Sequence, residues 1–328
     1  MNYHYLSIIA RKNSSLGSLL HMGSRIYIRF LNILPNTVFA NVLSRSMHRG
    51  RINLKNPVTF NDKLWWLKFH YRNPIEKICS DKYRVKEYLQ SLGEEYAALC
   101  LPMVRHYDCV EDICLSDFSE EVIFKLNVGS GANIIYNPSN SLSGERERER
   151  EIQSFFHARM NQNYYLNSRE WNFKDVKPVI VVEKVLRDSK GRTPVDYKFL
   201  CFNGRPEVVF VSEGAMDVMG RHSVNGERFT NVYDMDWHLT QIESSYPRRP
   251  DIKLEKPVNY EKMKKIAAEL SKPFPHVRID LYNIDGAIYL GEFTFYHSGG
   301  CGNISPKEEA IRLGSMIDID KIPSEFII

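Results

Sequence analysis

Two acids set into an apolar hairpin constrain this chain more than any other feature. The runs His276-Val-Arg-Ile-Asp-Leu-Tyr-Asn-Ile284 and Ala287-Ile-Tyr-Leu-Gly-Glu-Phe-Thr-Phe295 flank an Asp285-Gly286 turn. Each carries one carboxylate that a plain core strand has no use for, Asp280 in the first and Glu292 in the second. Strand side chains alternate faces, so the length of the turn decides whether the acids meet. A two-residue turn sets Asp280 opposite Gly291 and sends Glu292 to the other face. A three-residue turn, with the glycine left-handed, sets Asp280 directly opposite Glu292. That second register makes a carboxylate pair suited to a hard divalent cation such as Mg²⁺, which takes oxygen ligands and completes its shell from water and nucleotide phosphates. Solvated acids on an exposed sheet face are the plainer alternative.

A chain of 328 residues, 43% hydrophobic and 26% charged, has the composition of a soluble globular protein and room for two or three lobes. Its six cysteines form no Cys-x-x-Cys pair and no zinc-like spacing, which reads as reduced thiols in a cytosolic protein. The net charge of +4 hides an asymmetry: residues 1–61 hold eight Lys/Arg and no acid, and the remainder balances at −4. Within this arm Ser18, His21, Arg25, Arg29 and Asn32 recur at helical spacing, with Leu19, Leu20, Ile26, Phe30 and Leu31 around the other side. Such a basic amphipathic helix can lie on an anionic membrane, dock on a partner or pack on its own domain. Arginines and Pro35 interrupt every apolar run short of the ~20 residues a membrane span needs. No small-residue cleavage site follows a clean apolar core, so no signal peptide is expected.

Further along, Asn56-Pro-Val-Thr-Phe-Asn-Asp-Lys-Leu-Trp-Trp-Leu-Lys68 reads as a turn, a cap at Thr59 or Asn61 and an aromatic-rich helix. Ser80 to Gly93 reads as one capped helix closed by a glycine, with Lys82 in its first turn, where a lysine opposes the helix dipole unless it faces an anion. A short apolar strand then runs into Gly129-Ser130-Gly131 and straight back out. This predicts a hairpin whose glycines let backbone N–H groups approach phosphate oxygens, and Lys125 inside the strand supplies a point charge. Glu145 to Glu151 alternates in sign, as a solvated helix start or exposed connection would. Three strands follow, over 179–186 and 195–211, with an Asn203-Gly204 turn between the last two. Asp196 and Lys198 share one face of theirs, and Tyr197 and Phe199 the other. The stretch 213–228, rich in Gly, Ser, His and Arg, suits a mobile substrate loop. Asn259 then caps a helix that feeds the strand bearing Arg278 and Asp280.

The order of these pieces resembles the ATP-grasp superfamily, and more closely its TupA-like branch, associated with teichuronopeptide and other bacterial surface-polysaccharide synthesis. The words carrying the resemblance are Asn56 to Lys68, Asp81-Lys82-Tyr83, Phe124-Lys125-Leu126-Asn127 with Gly129-Ser130-Gly131, Asp196 to Phe199, Phe202-Asn-Gly204, Arg278 to Tyr282 and Gly291-Glu-Phe-Thr294. The resemblance implies an α+β fold in which two α+β lobes clasp ATP. It divides the chain into a basic helical arm (1–55), an N-terminal α/β region (56–120), a small lobe with the glycine loop (121–190) and a large lobe with the metal-binding hairpin (191–328). Lys82 and Lys125 would contact phosphates, and Gly129, Ser130 and Gly131 would close over them. Glu183 begins the hinge, and the backbone of Lys184 and Val185 would meet the adenine. Asp196 could reach ribose and Lys198 a phosphate or the reacting groups. Asp280, Glu292 and Thr294 would hold Mg²⁺, the threonine standing where the superfamily commonly has asparagine. Arg278 would stabilise the tetrahedral oxyanion, or serve as a salt bridge to the same acids.

The reaction so implied is a carboxylate-amine ligation through an acylphosphate, joining a small amine or amino acid to a uronic acid of a surface glycan or its precursor. The expected setting is cytoplasmic, with peripheral membrane or glycan-assembly contacts through the basic arm and no nucleic acid. Two other classes fit the same words: a phosphotransferase without ligation, and a non-catalytic nucleotide-binding partner of a glycosyltransferase complex.

Overall fold

The computed structural model describes residues 30–47, 49–140, 144–213 and 229–328. Helices α1 (Asn36–Ser46), α2 (Phe60–His70), α3 (Ile75–Ser80) and α4 (Val85–Ser91) precede the first strand, β1 (Met103–Tyr107). Strands β2 (Val122–Leu126) and β3 (Asn133–Tyr136) flank the glycine turn, and helices α5 (Glu145–Met160) and α6 (Tyr164–Ser168) lead to β4 (Ile180–Lys184). Then come β5 (Asp196–Phe202), β6 (Arg205–Glu213), β7 (Phe229–Asp234), α7 (Tyr260–Ser271), β8 (Val277–Ile284), β9 (Ala287–Thr294) and α8 (Lys307–Ser315). They form two antiparallel sheets, one in the order β1-β4-β2-β3 and one in the order β7-β6-β5-β8-β9. The strand expected over 179–186 forms as β4 and joins the glycine hairpin, while β5 and β6 pair in the other sheet.

Each sheet has its own core. In the four-stranded sheet Phe124, Ile134, Ile180 and Val182 bury against Ile152 and Phe156 of α5. In the five-stranded sheet Phe199, Leu200, Ile279 and Leu281 bury with Met263 and Leu270 of α7 and with Phe60 and Leu64 of α2. Residues 56–120 thus divide between the two: the helices go with the five-stranded sheet, and β1 goes with the four-stranded one.

Local chemistry sets the boundaries. Thr59 caps α2 reciprocally with Asp62, its Oγ1 accepting from the Asp62 amide at 3.2 Å while Asp62 Oδ2 accepts from the Thr59 amide at 3.0 Å. Asn203 and Gly204 take φ of 50° and 77°, the left-handed pair a two-residue hairpin turn requires. The helix expected from Ser80 is broken: α3 ends there, Asp81 is extended, and α4 starts at Val85. Asp81 causes the break by accepting from the amides of Tyr83 (2.8 Å) and Arg84 (3.2 Å), which an uninterrupted helix would bond otherwise. Asn259 does occupy the cap position of α7, but its side chain donates to Gly286 O of the β8–β9 turn (2.8 Å) and not to the helix.

The described part of the N-terminal arm packs on its own protein. Leu31, Phe39, Ala40 and Ile52 bury against Trp65 and Phe69 of α2. Arg169, just past α6, lays its guanidinium over Phe39 (4.1 Å) and donates to Asn32 O (3.0 Å), Leu34 O (2.8 Å) and Asn36 Oδ1 (2.5 Å). The chain's other end docks on α2 as well, through Arg72 N to Phe326 O (2.8 Å) and Ile328 N to His70 O (3.1 Å). Most of the basic amphipathic stretch, including His21, Arg25 and Arg29, and the substrate-loop stretch 214–228 lie outside the described residues. Among the described residues no helix is long and apolar enough to cross a membrane.

Candidate functional site

Asp280 and Glu292 pair across the β8–β9 ladder. The face-to-face register is reached by a different route from the one expected. Ile284 pairs with Ala287, leaving a two-residue turn with Asp285 at φ 49° and Gly286 at φ 92°. Left alone, that turn would oppose Asp280 to Gly291. Gly291 is instead bulged out between Leu290, which opposes Leu281, and Glu292, which opposes Asp280. A Cβ on Gly291 would stand 3.1 Å from Tyr282 Cε2 and 3.2 Å from Asp280 O, so any larger residue at the bulge would press on both.

Behind the bulge the side chains interlock. Arg278 clamps Asp280 side-on, Nε to Oδ1 and Nη2 to Oδ2, both at 2.6 Å, and Nη2 also reaches Glu292 Oε1 at 3.1 Å. Its remaining nitrogen, Nη1, lies 3.1 Å from His297 Nδ1. Thr294, expected among the metal ligands, uses its hydroxyl to donate to the same Glu292 Oε1 at 3.1 Å, so it orients the acid. Lys198, opposite Asp280 on β5, stands 3.4 Å from Asp280 Oδ2 and pairs with Asp196. Burial works against the charge on Arg278, but the Asp280 and Glu292 carboxylates more than offset it and hold its pKa above the ordinary value.

Across the cleft stand the small-sheet residues. Lys125 Nζ and Glu183 Oε2 are 2.6 Å apart. Lys82 lies in the turn between α3 and α4, its amide on Asn127 O (3.1 Å) and its Nζ on Gly129 O (2.9 Å). Burial pushes its ammonium below the ordinary pKa while Glu292 pulls it back up, an electrostatic link between the lysine and the hairpin. Gly129 and Gly131 have φ of 73° and 76°, and a Cβ on Gly129 would fall 2.4 Å from the Tyr164 ring. The glycine word is thus demanded by backbone conformation and, at Gly129, by space; Ser130 sits between.

Lys82, Lys125, Glu183, Leu290, Gly291 and Glu292 line one cleft. Asp196, Lys198, Arg278 and Asp280 are tied to it through Glu292 along the β5–β8–β9 face. At the expected hinge the amides of Lys184 and Val185 donate to Pro102 O (3.1 Å) and Glu121 O (3.4 Å).

Three contributors were not singled out in the sequence. Asp81 and Asn127, both inside quoted words, bond side chain to side chain at 2.9 Å, and Asn127 also accepts from Val179 N at 2.8 Å, fixing the lysine turn to β2 and β4. His297 had no signal beyond standing three residues after Thr294. As a cation site the face offers two opposed carboxylates, and among the described residues no group of three or more His, Cys, Asp or Glu converges. That donor set suits Mg²⁺, which takes one or two carboxylates and fills its shell from phosphate and water.

The family model described as TupA-like ATP-grasp matches residues 62–318. A search of curated proteins gave no match. Among solved structures, D-alanine–D-alanine ligase from Bacillus anthracis is similar at 14% identity with a TM-score of 0.40, over 73% of this chain and 66% of that one. The D-alanine–D-alanine ligase from Helicobacter pylori gives 12% and 0.40, over 79% and 68%. D-cycloserine synthetase DcsG gives 12% and 0.36, over 74% and 70%. The chain thus spans just under two thirds of the Bacillus anthracis enzyme's length. The family match covers well over half the chain, and the protein belongs to the TupA-like ATP-grasp family, with its α+β fold and with ATP and Mg²⁺ as cofactors.

Proposed function

We propose that the protein is an ATP- and Mg²⁺-dependent carboxylate-amine ligase that joins an amino acid or small amine to a uronic acid of a bacterial surface polysaccharide or its precursor. The observation that supports it most is the pair Asp280 and Glu292, opposed across the hairpin and bridged by Arg278, with Glu292 lining one cleft together with Lys82 and Lys125. In this reading Asp280 and Glu292 hold Mg²⁺, which when bound neutralises phosphate charge. Lys82, Lys125 and the Gly129–Gly131 backbone receive the phosphates, Asp196 the ribose, and the Lys184–Val185 backbone the adenine. A substrate carboxylate oxygen attacks the γ-phosphorus and ADP leaves. The amine then attacks the acyl carbon, phosphate departs, and the nitrogen gives up its proton. Negative charge develops on oxygen at each stage, and Arg278 and Lys198 are the fixed cations placed to meet it. The lobe boundaries given above, the cytoplasmic setting and a membrane contact through the arm belong to the same proposal.

The test is calorimetry of ATP with and without Mg²⁺, on the wild type and on Glu292→Gln, followed by ADP release with pairs of uronic acids and amino acids. Metal-dependent binding that the substitution abolishes, with release requiring both substrates, is the expected result. Release that needs no amine would make the protein a phosphotransferase, and no binding at all would leave a non-catalytic role.

A further inference from the structure

The guanidinium of Arg278 holds Asp280 by Nε and Nη2 and not by its two terminal nitrogens. Both bidentate arrangements are open to an arginine facing a carboxylate. The side-on one leaves Nη1 pointing away from the acid, and in a buried setting that donor needs an acceptor of its own. His297 Nδ1, at 3.1 Å, is that acceptor. Arginine only donates, so Nδ1 must carry the lone pair and the ring proton must sit on Nε2. We propose that His297 is a positioning residue for the ligation: its Nδ1 locks Arg278 in the side-on arrangement, which keeps Nη2 on both Asp280 and Glu292. The inference rests on the ligase reading above.

The ring is itself held rigidly. Its centroid lies 5.5 Å from that of Phe210 and 6.4 Å from that of Phe60. A Cβ on Gly302 would fall 2.7 Å from its Cδ2, so that glycine makes the space it occupies. The loop that carries it is pinned through its carbonyls, by Lys68 Nζ on Gly299 O (2.7 Å), Asn61 Nδ2 on Gly302 O (2.9 Å) and Arg49 Nε on Cys301 O (3.3 Å). Two of those donors belong to α2, so the aromatic-rich helix far from the hairpin in sequence reaches Arg278 through this imidazole. Burial, together with the charges of Arg278 and Lys198, holds the ring's pKa well below the ordinary value.

The experiment has two parts. Long-range ¹H–¹⁵N correlation on the labelled wild type reads the tautomer directly: a proton on Nε2 is expected, and a proton on Nδ1 overturns the proposal even if no variant folds. Steady-state ADP release from Mg²⁺-ATP, with thermal unfolding alongside, then compares His297→Asn, which keeps an acceptor near the Nδ1 position, with His297→Leu, which has none. For His297→Leu kcat should fall about tenfold or more with KM for ATP held, and His297→Asn should recover most of it. Wild-type kinetics in His297→Leu, or equal impairment of both variants at equal thermal stability, overturns it. A wild type that does not bind Mg²⁺-ATP would sink the ligase reading instead, leaving the tautomer measurement to report on the Arg278 contact.

Discussion

Asp280 faces Glu292 because Gly291, between Glu292 and Leu290, has no partner on the opposing strand. One unpaired residue therefore sets the register in which the two acids meet. Gly291→Val should press a side chain onto Tyr282 and the Asp280 carbonyl, costing about 1–3 kcal/mol as overpacking does. Mg²⁺-dependent ATP binding should be lost with it. Calorimetry and urea unfolding measure the two effects, and a valine variant that still binds Mg²⁺-ATP would show that the bulge does not set the site.

The two loop glycines separate conformation from space. Both have left-handed φ, but a Cβ on Gly131 meets nothing within 4 Å, while one on Gly129 runs into Tyr164. Gly131→Ala should cost only the backbone strain, about 1 kcal/mol. Gly129→Ala should cost more, and Tyr164→Ala added to it should return part of the difference. If the two single variants unfold alike, the Tyr164 contact is immaterial.

Lys125 and Glu183 form a largely buried pair, Glu183 buried and Lys125 half-buried, with side chains 8% and 15% exposed. Removing one partner leaves the other charge without compensation, so Lys125→Met should destabilise by about 3–5 kcal/mol. The double variant Lys125→Met/Glu183→Met should recover much of that loss. Equilibrium denaturation of the three proteins decides the point.

His276 sets a pH dependence. Its Nδ1 donates to Cys201 O at 3.0 Å, its Nε2 is buried without a partner, and burial carries its pKa down to about 3. The unfolded chain takes up this proton near pH 6.5, and the folded chain refuses it until far lower. Above pH 6.5 the group is neutral in both states. Between 6.5 and about 3 stability falls, by up to about tenfold in the unfolding constant per pH unit. Glu76, held protonated by burial, pulls the opposite way, so the informative quantity is the difference between wild type and His276→Asn. Urea midpoints at pH 7.5 and 5.5 should drop less in the variant than in the wild type.

Much of this was legible in the sequence where side-chain period and turn chemistry act locally. The hairpins at Asn203-Gly204 and Asp285-Gly286, the Thr59 cap and the glycine turn all formed where their residues directed. The opposed acids were legible as a pair of alternatives, but the bulge was not, since nothing in Leu290-Gly291-Glu292 says which residue will go unpaired. The contacts of the hinge amides were not legible, since Pro102 and Glu121, which accept from Lys184 and Val185, are distant in sequence. The Ser80–Gly93 helix failed at Asp81, whose partner Asn127 arrives from another sheet. His297 stayed hidden for the same reason: a contact nineteen residues away leaves no periodic trace.

The clamp of Arg169 on the arm bears on what counts as a portable piece of this protein. The stretch recognisable as the family begins at residue 62, yet Leu31, Phe39 and Ile52 close the apolar side of α2, and Phe326 and Ile328 seal its far end. A fragment trimmed to the recognisable stretch would keep every strand of both sheets. It would also bare Trp65 and Phe69 to water and strand a guanidinium whose acceptors have been cut away. Grafting or swapping this module between relatives therefore has to carry both flanks along, because what folds here is wider than what is recognised.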